Sequence, residues 1–319
     1  MDFVFKKTTE LSDGEIIQLC SVFSSVFEEH SKNESEFVNE FNNNELGYSF
    51  HGLMINDGRI VGAQSYIPFS YFVDNCKCLF ALSVDTMILQ EYRNFDNIFD
   101  LSTLCKSRLE KEGVSFMFGF PNENAYPLLT KGFGEKNVGD LYTYIFPYRA
   151  RSINKKNMYL DLFLQLSCRL MLAFSCLSMD RSTKNFRIHK DWDTFFKTRY
   201  KWFKADYEIV YESDFFFVYK IMPYKAVASA FLMEVYPLSK KNFDKAVRIM
   251  FKRSHKQFEI ALYVGHLHFS PGSMIKVPKK YEPKTFHFTG KILNKSILDN
   301  KVIFNIDNWD INLSNYDLL

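Results

Sequence analysis

Net charge is almost missing from this sequence: 40 Lys and Arg stand against 37 Asp and Glu, a formal balance of +3 over 319 residues. A surface so near neutral lacks the basic excess that grips a phosphate backbone, so nucleic acid is not an expected partner. Zinc-ligand spacing is missing too. The cysteines (Cys20, Cys76, Cys78, Cys105, Cys168 and Cys176) lie in apolar segments or in one Cys-x-Cys pair, and His266, His268 and His287 supply no third oriented ligand by spacing alone. No Walker loop, Rossmann fingerprint or Ser-His-Asp motif occurs. The opening MDFVFKKTTEL carries charge and too short an apolar stretch for a signal peptide, so reduced thiols in a cytoplasm are expected.

Apolar and aromatic residues are abundant. Hydrophobic residues make up 47% of the chain and phenylalanine alone contributes 34 positions, enough for a large core and two domains. Phe in place of Leu in ordinary cores is the expected use of these rings.

The pattern is clearest over residues 80–133. Phe80 to Ile88 is a run apolar enough for a strand covered on both faces. After Arg93 the apolar positions become Ile98, Leu101, Leu104, Cys105 and Leu109, which is helical spacing, with Gly113 as a stop. Val114 to Phe120 is the next strand, broken by Pro121-Asn122. This is a βαβ unit, whose first strand-to-helix turn is a common phosphate site. Upstream, Phe3–Lys6 predicts a strand. Ser12-x-x-Glu15 predicts a capped helix, residues 35–41 a second helix, and Asn56-Asp57-Gly58-Arg59 a hairpin turn.

The stretch resembles the core of the GNAT superfamily of acyl-CoA-dependent N-acyltransferases. The resemblance rests on Met87-Ile88 running into the turn Glu91–Phe99, on Phe120-Pro121-Asn122-Glu123-Asn124-Ala125-Tyr126-Pro127, and on Lys131-Gly132-Phe133. It implies that acetyl-CoA is a co-substrate. The backbone of Met87, Ile88 and Leu89 would hold the pantetheine and polarise the thioester. Arg93 and the amides of Asn94, Phe95, Asp96 and Asn97 would face the pyrophosphate, and Asn122 and Asn124 would reach the pantetheine arm. The family's glycines are absent from the turn, where Asn94, Asp96 and Asn97 stand instead. Asp96 would set a carboxylate near two phosphates unless it turns away as a helix cap.

Acyl transfer to an amine also needs proton acceptors and donors. Asp85 is the base candidate by location; its other role, the commoner one for a carboxylate in a strand, is a buried acceptor for backbone donors. The family's usual acid position is Leu128 here. Tyr126 is either its substitute or a ring packed under the turn.

The second half repeats the order without the sequence. A helix around residues 192–203, strands at 207–211, 215–221 and 226–235, a helix around 243–251 and a strand at 260–264 follow one another. The turn Tyr236–Lys241 has no glycine and no Arg-x-x-Gly pattern. The expected architecture is α/β (α+β), two tandem GNAT-like domains, each a mixed, mostly antiparallel sheet flanked by helices. Their boundaries are 1–148 for the acyl-CoA-binding domain, closed by a strand at Leu141–Phe146, and 185–319 for a degenerate copy. Residues 149–184 form a helical linker. Within it, 159–178 is apolar nearly all round but holds Asp161, Gln165 and Arg169. Packing between domains is preferred there to peripheral membrane contact.

The expected activity is N-acetylation of a small amine, with an amino sugar or cell-envelope precursor as the acceptor suggested by analogy. Two alternatives stand: a non-catalytic GNAT-fold binding protein, and a Fem-type aminoacyl transferase fed by charged tRNA. The near-neutral charge argues against the latter. The cluster Lys197, Arg199, Tyr200, Lys201, Trp202 and Lys204 is expected to be a solvated helix rather than an anion site.

Overall fold

The computed structural model describes residues 1–28, 31–151, 158–175, 184–200, 207–282 and 284–315. The chain begins with β1 (Asp2–Lys7), α1 (Asp13–Val26), α2 (Glu34–Asn42), β2 (Phe50–Asn56), β3 (Arg59–Val73) and β4 (Cys76–Ile88). It continues with α3 (Phe95–Lys111), β5 (Val114–Gly119), the short α4 (Ala125–Pro127), β6 (Lys136–Pro147) and α5 (Met158–Ser175). Next come β7 (Ile188–Lys190), α6 (Trp192–Arg199), β8 (Tyr207–Tyr211), β9 (Phe216–Tyr224) and β10 (Val227–Tyr236). The last elements are α7 (Lys240–Ser254), β11 (Ile260–Gly265), β12 (Ile275–Lys276), β13 (Phe286–Ile292) and α8 (Asn300–Ile303).

These elements form two units that interleave along the chain. The first takes Met1–Gly139, His287–Asn308 and the described part of Arg187–Phe203; the second takes the described parts of Asp140–Phe186, Lys204–Phe286 and the tail from Trp309.

In the first unit β1 to β4 form an antiparallel sheet, β5 runs parallel to β4, and β13 lies antiparallel to β5. The local chemistry explains the pieces. Ser12 and Glu15 close the capping box that starts α1, the Ser12 N–H donating to Glu15 at 2.9 Å, and α1 then buries Ile16, Leu19, Cys20 and Val22. Asp57 and Gly58 both take left-handed backbone, φ 49° and 76°, which suits the tight β2–β3 hairpin. Phe50, Tyr66, Leu101, Cys105, Leu109 and Met117 meet in the core between sheet and α3.

The strand closing this sheet differs from the one expected. Leu141–Phe146 is a strand, but it belongs to β6 and pairs with β11 in the second unit. The place beside β5 goes to β13, with Thr289 opposite Gly119 and Ile292 opposite Phe116. Gly290 makes this fit: a Cβ there would strike the Phe116 ring and come within 2.6 Å of the Met117 carbonyl oxygen. The uninterrupted boundary at residue 148 therefore gives way to an interleaved one.

The second unit has the same connectivity on different residues. β8, β9 and β10 are antiparallel, α7 crosses over, β11 is parallel to β10, and β6 is antiparallel to β11. Its core gathers Phe146, Tyr148, Phe217, Tyr219, Phe243 and Met250. α5 belongs here. It sends Cys168 and Leu172 into that core, while Leu162, Phe163, Leu166, Leu170 and Phe174 are exposed. Residues 176–178 of the expected linker helix lie outside the described residues, as do Cys176, Lys201, Trp202 and Lys204. Arg199, expected on a solvated face, is instead only 1% exposed. Among the described residues no helix is long and apolar enough to cross a membrane.

Candidate active site

In each unit the parallel ladder stops well before its first strand does. β4 and β5 pair from Leu79↔Val114 to Leu82↔Phe118, so Ser83 to Ile88 leave an opening in the ladder on the β5 side. Within it β4 carries a bulge: Ala63 pairs with Met87 and Ser65 with Val84, leaving Asp85 and Thr86 opposite Gln64 alone. Asp85 takes left-handed backbone, φ 46°. Bulges of this kind re-aim side chains and are common beside functional sites.

The expected backbone donors sort themselves by ladder parity. Leu89 N–H donates to Val61 O at 2.9 Å and so faces β3. Bonding alternates along an antiparallel ladder, so Met87 also faces β3 and only Ile88 turns its N–H and carbonyl toward the opening. Arg93 folds back on that carbonyl, its Nη2 and Nε donating at 2.8 and 3.2 Å.

The turn that follows is built from Asn rather than Gly. Asn94 caps α3, its Oδ1 accepting from Asn97 N–H at 2.9 Å, and Asn97 Nδ2 donates to Tyr92 O at 2.8 Å. The cap is thus Asn94 and not Asp96, which stands exposed in the first turn. Asn94 N–H donates to Tyr92 O. Phe95 and Asp96 N–H remain, the first amides of a helix having no intrahelical partner. Phe95 itself is exposed and packs against Phe99 and Phe133.

Beyond β5, Asn122 Oδ1 accepts from Ala125 N–H at 2.9 Å and Asn124 N–H at 3.1 Å, so its side chain shapes the turn. Asn124 is exposed at the mouth of α4. Tyr126 stacks on His287, ring centroids 4.0 Å apart, and His287 Nε2 lies 3.6 Å from Glu123 Oε2. His287 reaches this place because β13 is the strand beside β5.

Asp85 does not stand alone. Lys32 Nζ lies 2.6 Å from Asp85 Oδ2 and 2.5 Å from Glu40 Oε2, and sits over the rings of Phe23 and Phe41 at 4.3 and 5.2 Å. Burial and the Asp85 charge push Glu40 up to about 7, against the pull of Lys32. The two carboxylates hold the Lys32 ammonium above its ordinary value although burial opposes them. His51 nearby is fully buried and held down to about 3, first by burial and then by the Lys32 charge. Its nitrogens lie 2.9 Å from Thr8 Oγ1 and Ser65 Oγ.

Sequence reading had no signal for Lys32 or Glu40. Lys32 is in a connection, and Glu40 carries a charge on a helix face that patterning assigns to solvent. Among the described residues no group of three metal-ligating side chains converges; His266 and His268 lie in the second unit and His287 in the first. A shallow pocket lined by Glu45, Ser70, Thr194 and Thr198 involves none of these site residues.

In the second unit the corresponding opening is filled. β10 and β11 pair from Ser229↔Ile260 to Phe231↔Leu262, and β10 bulges between Leu232 and Glu234. Glu234, three residues past the last parallel pair as Asp85 is, accepts from Asn312 Nδ2 at 2.7 Å and Ser314 Oγ at 2.6 Å. Ile311 O accepts from His266 N–H at 3.1 Å. The tail thus bridges both strands.

No protein-family model and no curated protein sequence matches the chain. Among solved structures it is similar to a GCN5-related N-acetyltransferase from Anabaena variabilis, with a TM-score of 0.58 and 12% identity over 91% of this chain and 73% of that one. A GCN5-related N-acetyltransferase from Kribbella flavida gives 0.56 and 12% over 91% and 71%. Eis1 from Mycobacterium abscessus gives 0.53 and 10% over 91% and 74%. Identity this low speaks for architecture alone, and the architecture agrees with the two bulged sheets: the chain has the fold of the GCN5-related N-acetyltransferases, the GNAT superfamily.

Proposed function

We propose that the first unit is an acetyl-CoA-dependent N-acetyltransferase acting on a small amine. The observation that carries this reading is the opening between β4 and β5, into which Ile88, of the three residues Met87 to Leu89, turns its backbone, while the amides of Phe95 and Asp96 stand at the start of α3. The residues fit the co-substrate in kind. Ile88 N–H can hold the pantetheine, and a helix N-terminus with two free amides suits a pyrophosphate. Arg93 retains Nη1 for a phosphate oxygen. Acetyl-CoA supplies the activated acyl group; the chain supplies position and proton transfer. Tyr126 is the proton donor beside the β5 end, and Asp85 and Glu40 are the proton acceptors beside the β4 bulge.

Calorimetric titration with acetyl-CoA, followed by mass spectrometry of a panel of primary amines, tests the reading. One site per chain and an amine-dependent mass gain of one acetyl group are expected. No heat and no thermal shift at millimolar acetyl-CoA would overturn it.

The non-catalytic binding protein is favoured by one observation, the glycine-free turn with Asp96 exposed at the phosphate position. Binding of acetyl-CoA without transfer to any amine would select it.

A further inference from the structure

Lys32 has more partners than a structural lysine needs. Two carboxylates and two aromatic rings surround one ammonium: Asp85 at 2.6 Å, Glu40 at 2.5 Å, Phe23 at 4.3 Å and Phe41 at 5.2 Å. A cation over aromatic faces, closed by carboxylates, is how a protein recognises an alkylammonium. One buried ammonium against two carboxylates is an arrangement that adds little to stability by itself.

Position matters as much as composition. Asp85 stands in the β4 bulge, three residues from Ile88, hence about 10 Å or less along the strand. Lys32 belongs to no helix or strand, so its withdrawal would break no ladder. In the second unit the matching carboxylate, Glu234, is also met by donors from a distant part of the chain, Asn312 and Ser314.

Resting on the acyltransferase reading, we infer that Asp85, Glu40, Phe23 and Phe41 form the acceptor-amine pocket and that Lys32 occupies it as an intramolecular stand-in for the substrate. The acceptor is then a primary ammonium on a slim alkyl chain, and Lys32 must swing out before it enters. Glu40 is placed to take the proton that an incoming ammonium must lose.

The test is chemical rescue. Lys32→Ala deletes the equivalent of n-propylammonium, so n-propylammonium chloride is the probe, with sodium chloride at equal ionic strength as control. The melting temperature of Lys32→Ala should rise saturably, by about 3 °C or more. The wild type and the double variant Lys32→Ala/Asp85→Asn should not respond. If Lys32→Ala folds poorly alone, refolding in n-propylammonium should restore soluble protein. Equal responses from wild type and variant, no response, or no restoration on refolding would each overturn the pocket. Acetyl-CoA calorimetry on the wild type separates the two readings. Rescue without acetyl-CoA binding keeps the amine pocket and discards acyl transfer; acetyl-CoA binding without rescue does the reverse.

Discussion

Tyr126 lies face to face with His287, ring centroids 4.0 Å apart, although one follows β5 and the other opens β13 near the end of the chain. The stack fixes the ring at the β5 edge of the opening and leaves Tyr126 half-buried rather than sealed in a core. Of the two roles open to Tyr126 from sequence, acid or packed ring, the stack shows only what the ring packs against.

Tyr126→Phe keeps the stack and removes only the hydroxyl. If that hydroxyl protonates the departing thiolate, kcat should fall about 10²-fold or more while KM for the amine changes little. Steady-state kinetics decides, and an unchanged kcat would confine Tyr126 to packing.

The α3 turn makes a binding prediction. Arg93→Ala should weaken CoA binding by about 1–3 kcal/mol, the range for a lost charge-assisted hydrogen bond. Asp96→Gly should leave binding equal or tighter, because a carboxylate departs from beside two phosphates. Calorimetric stoichiometry should stay at one per chain, since the tail fills the second opening. A stoichiometry of two would contradict that.

Stability should depend on pH through Glu40. Its folded value, about 7, lies above its ordinary 4.5, so the folded protein keeps a proton that the unfolded chain releases in between. The contribution is full below about 4.5 and is lost as pH rises to about 7, on the order of 3 kcal/mol. His51, held at about 3 against an ordinary 6.5, contributes stability that is present above 6.5 and lost as pH falls toward 3. Glu40→Gln removes only the first dependence. Urea unfolding should show Glu40→Gln gaining on the wild type from pH 4.5 to 7, and parallel curves would refute the shift.

On α5 the two faces should answer differently. Leu172→Ala opens the second unit's core and should cost about 2–5 kcal/mol, whereas Phe163→Asp, on the exposed face, should cost less than about 1 kcal/mol. Denaturant midpoints check both. Liposome flotation that Phe163→Asp abolishes would show that the exposed face meets lipid.

Much of the first unit was legible because its signals are local. The Ser12–Glu15 box, the Asp57-Gly58 turn and the spacing from Ile98 to Leu109 each declare an element within a few residues. Pairing partners are not local. Leu141–Phe146 reads correctly as a strand, yet nothing in those residues says that they join β11 while β13 joins β5. The site divides in the same way. Arg93 and Tyr126 sit in a motif, but Arg93 turns to Ile88 O, and the charges around Asp85 come from a connection and a helix whose sequence gives no hint of burial.

The insertion of β13 beside β5 governs how the protein is made. The strand completing the first sheet is encoded long after the strand it pairs with, beyond most of the second unit, and the segment filling the second opening comes later still. Neither unit can finish before that later segment has been made, so β5 must wait with an open edge, the kind that invites pairing with another chain. A chain cut after residue 148 would keep that edge for good.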